Sequence, residues 1–387
     1  MVCAKNVCTC MHFLFVRSML WATRAMKQFL KRIVVAILTW EAKLVLRRHK
    51  PKVVAITGSV GKTSTKDAVF TVLKSVYHAR KSEKSFNSEL GVPLTILGLP
   101  TGWSSPVAWL ENIFEGFVIA LFGKRYPEWL VLEVGADRPG DIKSLAWLRP
   151  QVVVFTHFPD VPVHVEFFES VEEVIAEKRE LKRTLRQDGT LIVNADDLRM
   201  RDETVEDGQY LFAYGTSNGA TVRAEVPEVV YEDHCPVGIS THVHFQHEQQ
   251  RLAQRGVLGT HHLYPHLAAI AVGVCEGMTL THTLEALRSH VTPPGRMCLL
   301  KGRQGVTIVD DTYNASPAAV AAGLDTLHGL TVKGRTVVVL GDMLELGEFS
   351  VTEHRKVGER AAAVADVFVG VGVRMRAATE AAQANKT

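Results

Sequence analysis

The sequence predicts an α/β fold: a central domain on a parallel sheet, then a smaller α/β domain, both preceded by a basic helical segment. Three observations carry this. An apolar, β-branched run, Val53-Val54-Ala55-Ile56-Thr57, stops at Gly58, and a helical pattern starts after Lys62, which reads as strand, tight loop, helix. Strand-like runs recur at 129–134, 152–156 and 190–194 with helical stretches between them, notably 171–186. Such alternation is that of a parallel sheet covered by helices. After the hinge-like Thr292-Pro293-Pro294-Gly295 the alternation resumes, with strands at 306–309, 336–340 and 367–371 and helices at 317–327 and 353–364.

Composition narrows the function class. The chain has 387 residues, 47% hydrophobic and 22% charged, which suits two or three globular domains. Its first fifty residues hold ten of the 44 Lys and Arg and one of the 41 Asp and Glu, so the rest is net acidic by six. That argues against a nucleic-acid-binding surface as its main business. The six cysteines show no disulfide framework, which fits a reducing cytoplasm. Cys3, Cys8, Cys10 and His12 match no standard zinc spacing.

Residues 11–48 contain no proline and read as one or two helices. Their longest uncharged apolar stretch, 33–40, is about half of a bilayer span. Basic residues cut through any signal-peptide core. Two readings stay open: a basic amphipathic helix on an anionic membrane, with Trp21 and Trp40 near the interface, or a helix packed on the protein's own body. A later start at Met11, Met19 or Met26 is also compatible.

Residues 201–257 are polar and β-branched, and are expected as short antiparallel strands at one side of the sheet. His234, His242, His244 and His247 lie there as surface histidines. Residues 262–290 return to helix. The final domain stops soon after its third strand with no evident closing element.

The chemistry starts at Gly58-Ser59-Val60-Gly61-Lys62-Thr63-Ser64. Glycines let backbone N–H groups approach phosphate oxygens, and a helix N-terminus adds partial positive charge. Lys62 is placed to reach β/γ-phosphates and Thr63 to hold Mg²⁺. The Gly-x-x-Gly-Lys-Thr spacing is shorter than the general Gly-x4-Gly-Lys-Ser/Thr loop. In a parallel sheet, functional residues gather at the carboxyl ends of strands. Glu133, His157 and Asn194-Ala195-Asp196-Asp197 sit there.

Further motifs follow in order: Asn87-Ser88-Glu89-Leu90-Gly91-Val92-Pro93, Leu132-Glu133-Val134-Gly135-Ala136, His164-Val165-Glu166 and Glu177-Lys178-Arg179-Glu180. Then come Gly295-Arg296-Met297, Asp310-Asp311-Thr312-Tyr313-Asn314-Ala315-Ser316-Pro317 and Gly341-Asp342-Met343-Leu344-Glu345-Leu346-Gly347. In this order, from about residue 52 to 371, the chain resembles the Mur ligase family, the ATP-dependent amide ligases of peptidoglycan precursor synthesis. The last two motifs point to its dipeptide-adding branch.

The resemblance implies a P-loop parallel-sheet ATP-binding domain at 51–294 and a Rossmann-like domain, short at its end, at 295–387. The segment 1–50 would be a basic amphipathic addition. It implies that a carboxylate attacks the γ-phosphate of ATP and that an amine, D-Ala-D-Ala, displaces phosphate from the acyl phosphate of a UDP-muramoyl-tripeptide. Gly58, Ser59, Val60, Gly61, Lys62, Thr63, Ser64, Asn87, Arg296, Asp310 and Asn314 would bind the nucleotide. Lys62, Lys178, His164 and Arg296 would serve catalysis. Thr63, Glu133, His164 and Lys178 would serve two Mg²⁺ sites, with Lys178 carried as its N6-carboxylated carbamate. A cytoplasmic monomer with small-molecule substrates is expected, with peripheral membrane contact through 11–48 and no nucleic-acid partner. A poly-glutamate-type ligase at a membrane, and a weakly catalytic nucleotide-binding protein that docks on membranes, are the rival readings.

Three departures stand out. The family's N-terminal domain, which holds the UDP-sugar, is expected to be absent, with the basic helical segment in its place. A family stretch with two asparagines near the nucleotide reads Gly259-Thr260-His261-His262-Leu263-Tyr264-Pro265-His266 here, so His262 and Pro265 replace them. The C-terminal domain is expected to lack its closing, amine-binding part.

Overall fold

A computed structural model describes residues 26, 28–83, 86–103 and 105–385. Positions 11–25 of the basic segment, with Trp21, Cys3, Cys8, Cys10 and His12, lie outside the described residues.

The chain opens with helix α1 (28–49), strand β1 (Lys52–Thr57), α2 (Lys62–Leu73), β2 (Ala79–Lys81), α3 (Gly91–Leu97) and α4 (Pro106–Phe122). Next come β3 (Trp129–Glu133), the single turn α5 (Asp141–Ser144), β4 (Val152–Phe155), α6 (Val171–Arg179) and β5 (Thr190–Asn194). Strands β6 (Tyr210–Gly215), β7 (Val222–Ala224), β8 (Glu228–Glu232), β9 (Cys235–Phe245) and β10 (Glu248–Arg255) precede α7 (Leu263–Cys275) and α8 (Leu280–Arg288). The last part holds β11 (Cys298–Lys301), β12 (Thr307–Asp310), α9 (Pro317–His328), β13 (Val337–Gly341), α10 (Ser350–Val364), β14 (Val367–Val371) and α11 (Met375–Ala384).

Backbone contacts divide the chain into two compact units: residues 1–50 with 89–126, and residues 51–88 with 127–387. In the helical unit, α1 meets α4 and the segment that follows it. Arg48 donates from Nη1 to the carbonyl of Ala120 (3.0 Å) and also to that of Leu121, covering the open C-terminal carbonyls of α4. His49 stacks on Tyr126, with ring centroids 4.8 Å apart. The Glu41 carboxylate lies so near Gly116 that a Cβ there would come within 2.2 Å of Oε2. Glu41 is 1% exposed, Oε2 has no hydrogen-bond partner, and burial pushes its carboxyl up to about 7.

The larger unit is built on a ten-stranded sheet ordered β10-β9-β7-β6-β5-β4-β1-β3-β2, with β8 beside β9. Strand β1 lies at its functional centre, parallel to β3 on one side and β4 on the other. Its register pairs Ile56 with Glu133 and Thr57 with Phe155, so the carboxyl ends of three strands finish together. Val54, Ile56, Val131, Val154 and Ile192 of the sheet pack with Ala68, Val69 and Val72 of α2 and with Leu267, Ala268 and Ala271 of α7. Every residue of β3 and β4 is buried, which explains their apolar character up to Glu133 at the end of β3. A second, smaller core joins Leu324 of α9, Val338 of β13, Met343, and Val357 and Ala361 of α10. There β13 and β14 pair in parallel across α10, and β11 and β12 form an antiparallel hairpin.

Three expectations are corrected. Strands β6 and β7 extend the parallel sheet, and only β8, β9 and β10 add antiparallel pairs. A short apolar run carries no information on strand direction, and Tyr214 of β6 is anchored in the core by donating to the Phe155 carbonyl at 3.0 Å. The helix expected over 171–186 ends at Arg179 and tightens to a 3₁₀ turn over Glu180–Thr184. Where the helix changes form, the nearly inaccessible carboxylate of Glu203 takes an ion pair from Arg179 and another from Lys182 at 2.7 Å. The chain also does not stop at its last strand, because α11 follows and packs on α10. Gly358 permits this contact: a Cβ there would lie 2.0 Å from the Ala378 carbonyl oxygen.

Candidate active site

The loop after β1 is organised by backbone geometry. Gly58 has φ 142° and Gly61 φ 88°, conformations that favour glycine. A Cβ on Gly58 would also strike Thr156 Oγ1 at 2.1 Å. The N–H groups of Ser59 and Val60 donate to the carbonyl of His157, at 2.9 and 3.3 Å. This stitches the loop to the end of β4, at the point where the sheet's order reverses around β1. Helix α2 then starts at Lys62 with no side-chain cap at Gly61, an arrangement suited to an anion.

Lys62 folds over this loop, donating from Nζ to the Gly58 carbonyl at 3.0 Å. Burial lowers its basicity; the carboxylates of Glu133 and Asp137 oppose that, and the Arg296 cation adds to it. Thr63 Oγ1 donates to Glu133 Oε2 at 3.0 Å. Glu133 ends β3, is 2% exposed, and donates its backbone N–H to Ser82 Oγ at 3.2 Å. A carboxylate so placed costs several kcal/mol unless it is paired or bound to a metal. Two hard oxygen donors therefore meet beside the loop.

Lys178, on α6, is 1% exposed and its Nζ has no hydrogen-bond partner. Burial first, then repulsion by Lys62, pushes its ammonium group down to about 7, while Asp137 opposes the fall. His164 has a left-handed backbone, φ 69°. Its Nδ1 lies 3.0 Å from Glu345 Oε2 and its Nε2 lies 3.6 Å from Asp137 Oδ1. Burial lowers the basicity of its ring, against both carboxylates and together with Lys178 and Lys62.

Arg296 stacks on the ring of Tyr313 at 4.3 Å, and its charge is felt at Lys62, Asp311 and His262. Asp311 accepts the Met297 N–H at 3.2 Å and so fixes the turn that carries Arg296. Asn87 approaches the backbone of Gly135, whose N–H donates to the Asn87 carbonyl at 2.8 Å. Asp310 accepts from the Thr312 hydroxyl at 2.7 Å, and Asn314 accepts from the next backbone N–H at 2.9 Å. Ser64 is buried within the first turn of α2.

The structure thus gathers Lys62, Thr63, Glu133, His164, Lys178 and Arg296, but it leaves Asp310 and Asn314 in local turn bonds. Among the described residues no three His, Cys, Asp or Glu side chains cluster as a metal site. His242 and His244, on β9, pair with Glu225 at 3.4 and 2.9 Å. Cys235, Cys275 and Cys298 form no disulfide.

Sequence reasoning missed Asp137, and it named His157 and His262 without the parts they play here. His157 acts through its carbonyl, which no motif shows, and its ring faces Asp197 at 3.1 Å. Asp137 lies four residues past Glu133 and its charge reaches Lys62, His164 and Lys178, as its place at a strand end could have suggested. His262 is buried, its ring tilted against that of His261 with centroids 4.7 Å apart, and held well below the usual histidine range by burial and by neighbouring His261, His266 and Arg296.

Fold and site define an α/β protein with a glycine-lysine loop suited to an anion, to which a second α/β domain brings an arginine. The chain belongs to the Mur ligase family. Residues 116–273 match the Mur ligase middle domain and residues 295–387 match the Mur ligase glutamate ligase domain. It is 33% identical over 334 residues to the UDP-N-acetylmuramoyl-tripeptide–D-alanyl-D-alanine ligase of Mycobacterium leprae, covering 80% of this chain and 59% of the relative. To the Bacillus subtilis enzyme of that name it is 29% identical over 319 residues, covering 82% and 62%. The chain thus spans about 60% of the length of these curated relatives. Among solved structures, MurF from Acinetobacter baumannii matches with TM-score 0.74 at 24% identity, over 90% of this chain and 70% of that one. MurF from Thermotoga maritima in complex with ADP matches with TM-score 0.68 at 24% identity, over 91% and 84%. These two show the shared fold.

Proposed function

We propose that the chain is an ATP-dependent, ADP-forming amide ligase that joins D-Ala-D-Ala to UDP-N-acetylmuramoyl-tripeptide in cell-wall precursor synthesis. The observation that carries this reading is Lys178: a buried amine with no partner, in the field of the Lys62 loop. A plain phosphate-binding protein has no use for such a group. An amine near neutrality reacts with CO₂, losing a proton and becoming a carbamate, which converts a cation facing Lys62 into an anion. Kinship with ligases of that activity supports the same reading.

In the first step a carboxylate oxygen of the tripeptide bonds to the γ-phosphorus, and the bond to ADP breaks. In the second the amine nitrogen bonds to the acyl carbon, inorganic phosphate leaves, and the nitrogen gives up a proton. Lys62 and the N–H groups opening α2 hold the phosphates. Arg296, steadied on Tyr313, offsets the charge of the transferring group. Thr63 and Glu133 offer the hydroxyl and carboxylate that suit Mg²⁺, and His164 with carbamylated Lys178 would serve a second ion. Bound there, Mg²⁺ supplies positive charge between two anionic reactants.

The functional boundaries would be 51–294 for the nucleotide domain and 295–387 for the closing one. We place the reaction in the cytoplasm, carried out by a monomer, with residues 28–48 of the basic segment against a membrane surface. No helix among the described residues is long and apolar enough to cross a membrane. Phosphate release measured over a panel of amines tests the reading. D-Ala-D-Ala should stimulate it with the tripeptide substrate present, and stimulation by another amine alone would replace this acceptor with a different one.

A further inference from the structure

The helical unit carries an apolar surface that the ligase reading does not use. Helix α4 has one buried side and one exposed apolar side. Asn112, Gly116 and Ala120 are buried. Its outer stripe, Val107, Leu110, Phe114, Phe117 and Leu121, is 41–72% exposed, at helical spacing over about four turns. Trp103, just before the helix, is 80% exposed. On α1, Phe29, Leu30 and Ile33 are likewise 40–60% exposed, as is Trp40 at 51%. Large apolar side chains gathered in this way mark an interaction surface.

Charge identifies the occupant. Residues 28–50 and 89–126 hold eight Lys and Arg against four Glu, and of these acids Glu41 is buried with its carboxyl raised to about 7. Arg47, Arg48, Lys124 and Arg125 are all exposed and cluster where α1 and α4 end, since Arg48 bonds the last turn of α4. An apolar helical stripe with aromatic residues and a basic end is the form of a helix lying in an anionic lipid interface. A like-charged second copy would meet repulsion at this end. Glu111 and Glu115 are exposed beside the stripe, and α4 has seventeen residues, so it lies on a bilayer instead of crossing it.

We infer that α4, joined to α1 by Arg48 and Glu41, is a lipid-docking surface that holds the protein on anionic membranes. This deepens the membrane contact proposed for residues 28–48 by assigning the apolar part of it to α4. The full chain is tested by flotation with vesicles of phosphatidylcholine and phosphatidylglycerol, and with phosphatidylcholine alone. The wild type should float with the anionic vesicles, less so in high salt. Changing Leu110, Phe114 and Phe117 together to Gln should reduce the bound fraction by roughly tenfold or more. Arg47→Gln with Arg125→Gln should weaken the salt-sensitive part. Near-ultraviolet circular dichroism and binding of ADP should match the wild type in each variant.

No flotation of the wild type overturns the inference. So does normal flotation of the α4 variant when changing Phe29, Leu30 and Ile33 to Gln abolishes it. A dimer that the α4 changes convert to a monomer, without vesicle binding, would assign the face to a second copy and equally overturn it. Lys62→Ala should float normally, so loss of ligation and loss of docking are read separately.

Discussion

His164 and Glu345 meet at 3.0 Å, and both hold left-handed backbones, at φ 69° and 61°. Each such non-glycine residue is held at a cost of roughly 1 kcal/mol or more. The pair joins the loop after β4 to the loop after β13, and Gly347 (φ 51°) closes the same contact against Glu166. A carboxylate from the smaller domain thus orients a ring beside Lys178 and Lys62. Glu345→Ala should lower kcat by about 10–100-fold through misplacement of His164 while leaving the KM for ATP nearly unchanged. Steady-state phosphate release checks this, and an unchanged kcat would remove Glu345 from the site.

Lys62→Ala should cut ATP turnover by about 10²–10³-fold, the scale of losing one preorganised charge at a developing anion. Thermal melting should stay near the wild type, since Lys62 bonds only its own loop. A variant with normal turnover would refute the assignment of this loop.

Lys178→Ala should lose nearly all activity, and added formate or acetate should restore part of it. A small carboxylate would stand where the proposed carbamate would end. The readout is phosphate release against acid concentration. Lysine acting only as a buried structural cation predicts no rescue.

Removing the ring beneath Arg296 by Tyr313→Leu should raise the KM for ATP about 3–10-fold, the value of a cation–π contact near 1 kcal/mol. Reverting to Phe should restore it, because the face of the ring and not its hydroxyl does the holding.

Glu41 gives a pH signature for folding. Its carboxyl sits at about 7 in the folded state against an ordinary 4.5. Because the folded value is raised, ionisation favours the unfolded chain: stability declines as pH rises from about 4.5 to 7 and is level above. Glu41→Gln should therefore gain about 1–3 kcal/mol at pH 8 and nothing below pH 4, read by urea unfolding at both.

Much of this was legible from residues alone. The glycine-lysine loop declares itself because glycine conformations and a helix start leave marks in sequence, and β5 and β14 fall on the residues expected for them. Lys178, by contrast, sits in a run of charges that reads as a solvated face; only kinship singled it out. That run folds inward around Glu203, an ion-pair centre 24 residues beyond Arg179, and long-range pairing of this kind has no local signal. The direction of β6 and β7 was hidden for the same reason. Helix α11 was missed because, of its buried positions Met375, Ala378 and Ala382, only the first is large enough to stand out as part of an apolar stripe.

The carbonyl of His157 holds Ser59 and Val60 whatever its own side chain is. Saturation mutagenesis should therefore find position 157 permissive for loop shape, with cost only through the ring's bond to Asp197. Position 58 should accept nothing but glycine. A scan of single substitutions would record the two partners of one contact as opposites, and would miss that the tolerant one sets the loop's form.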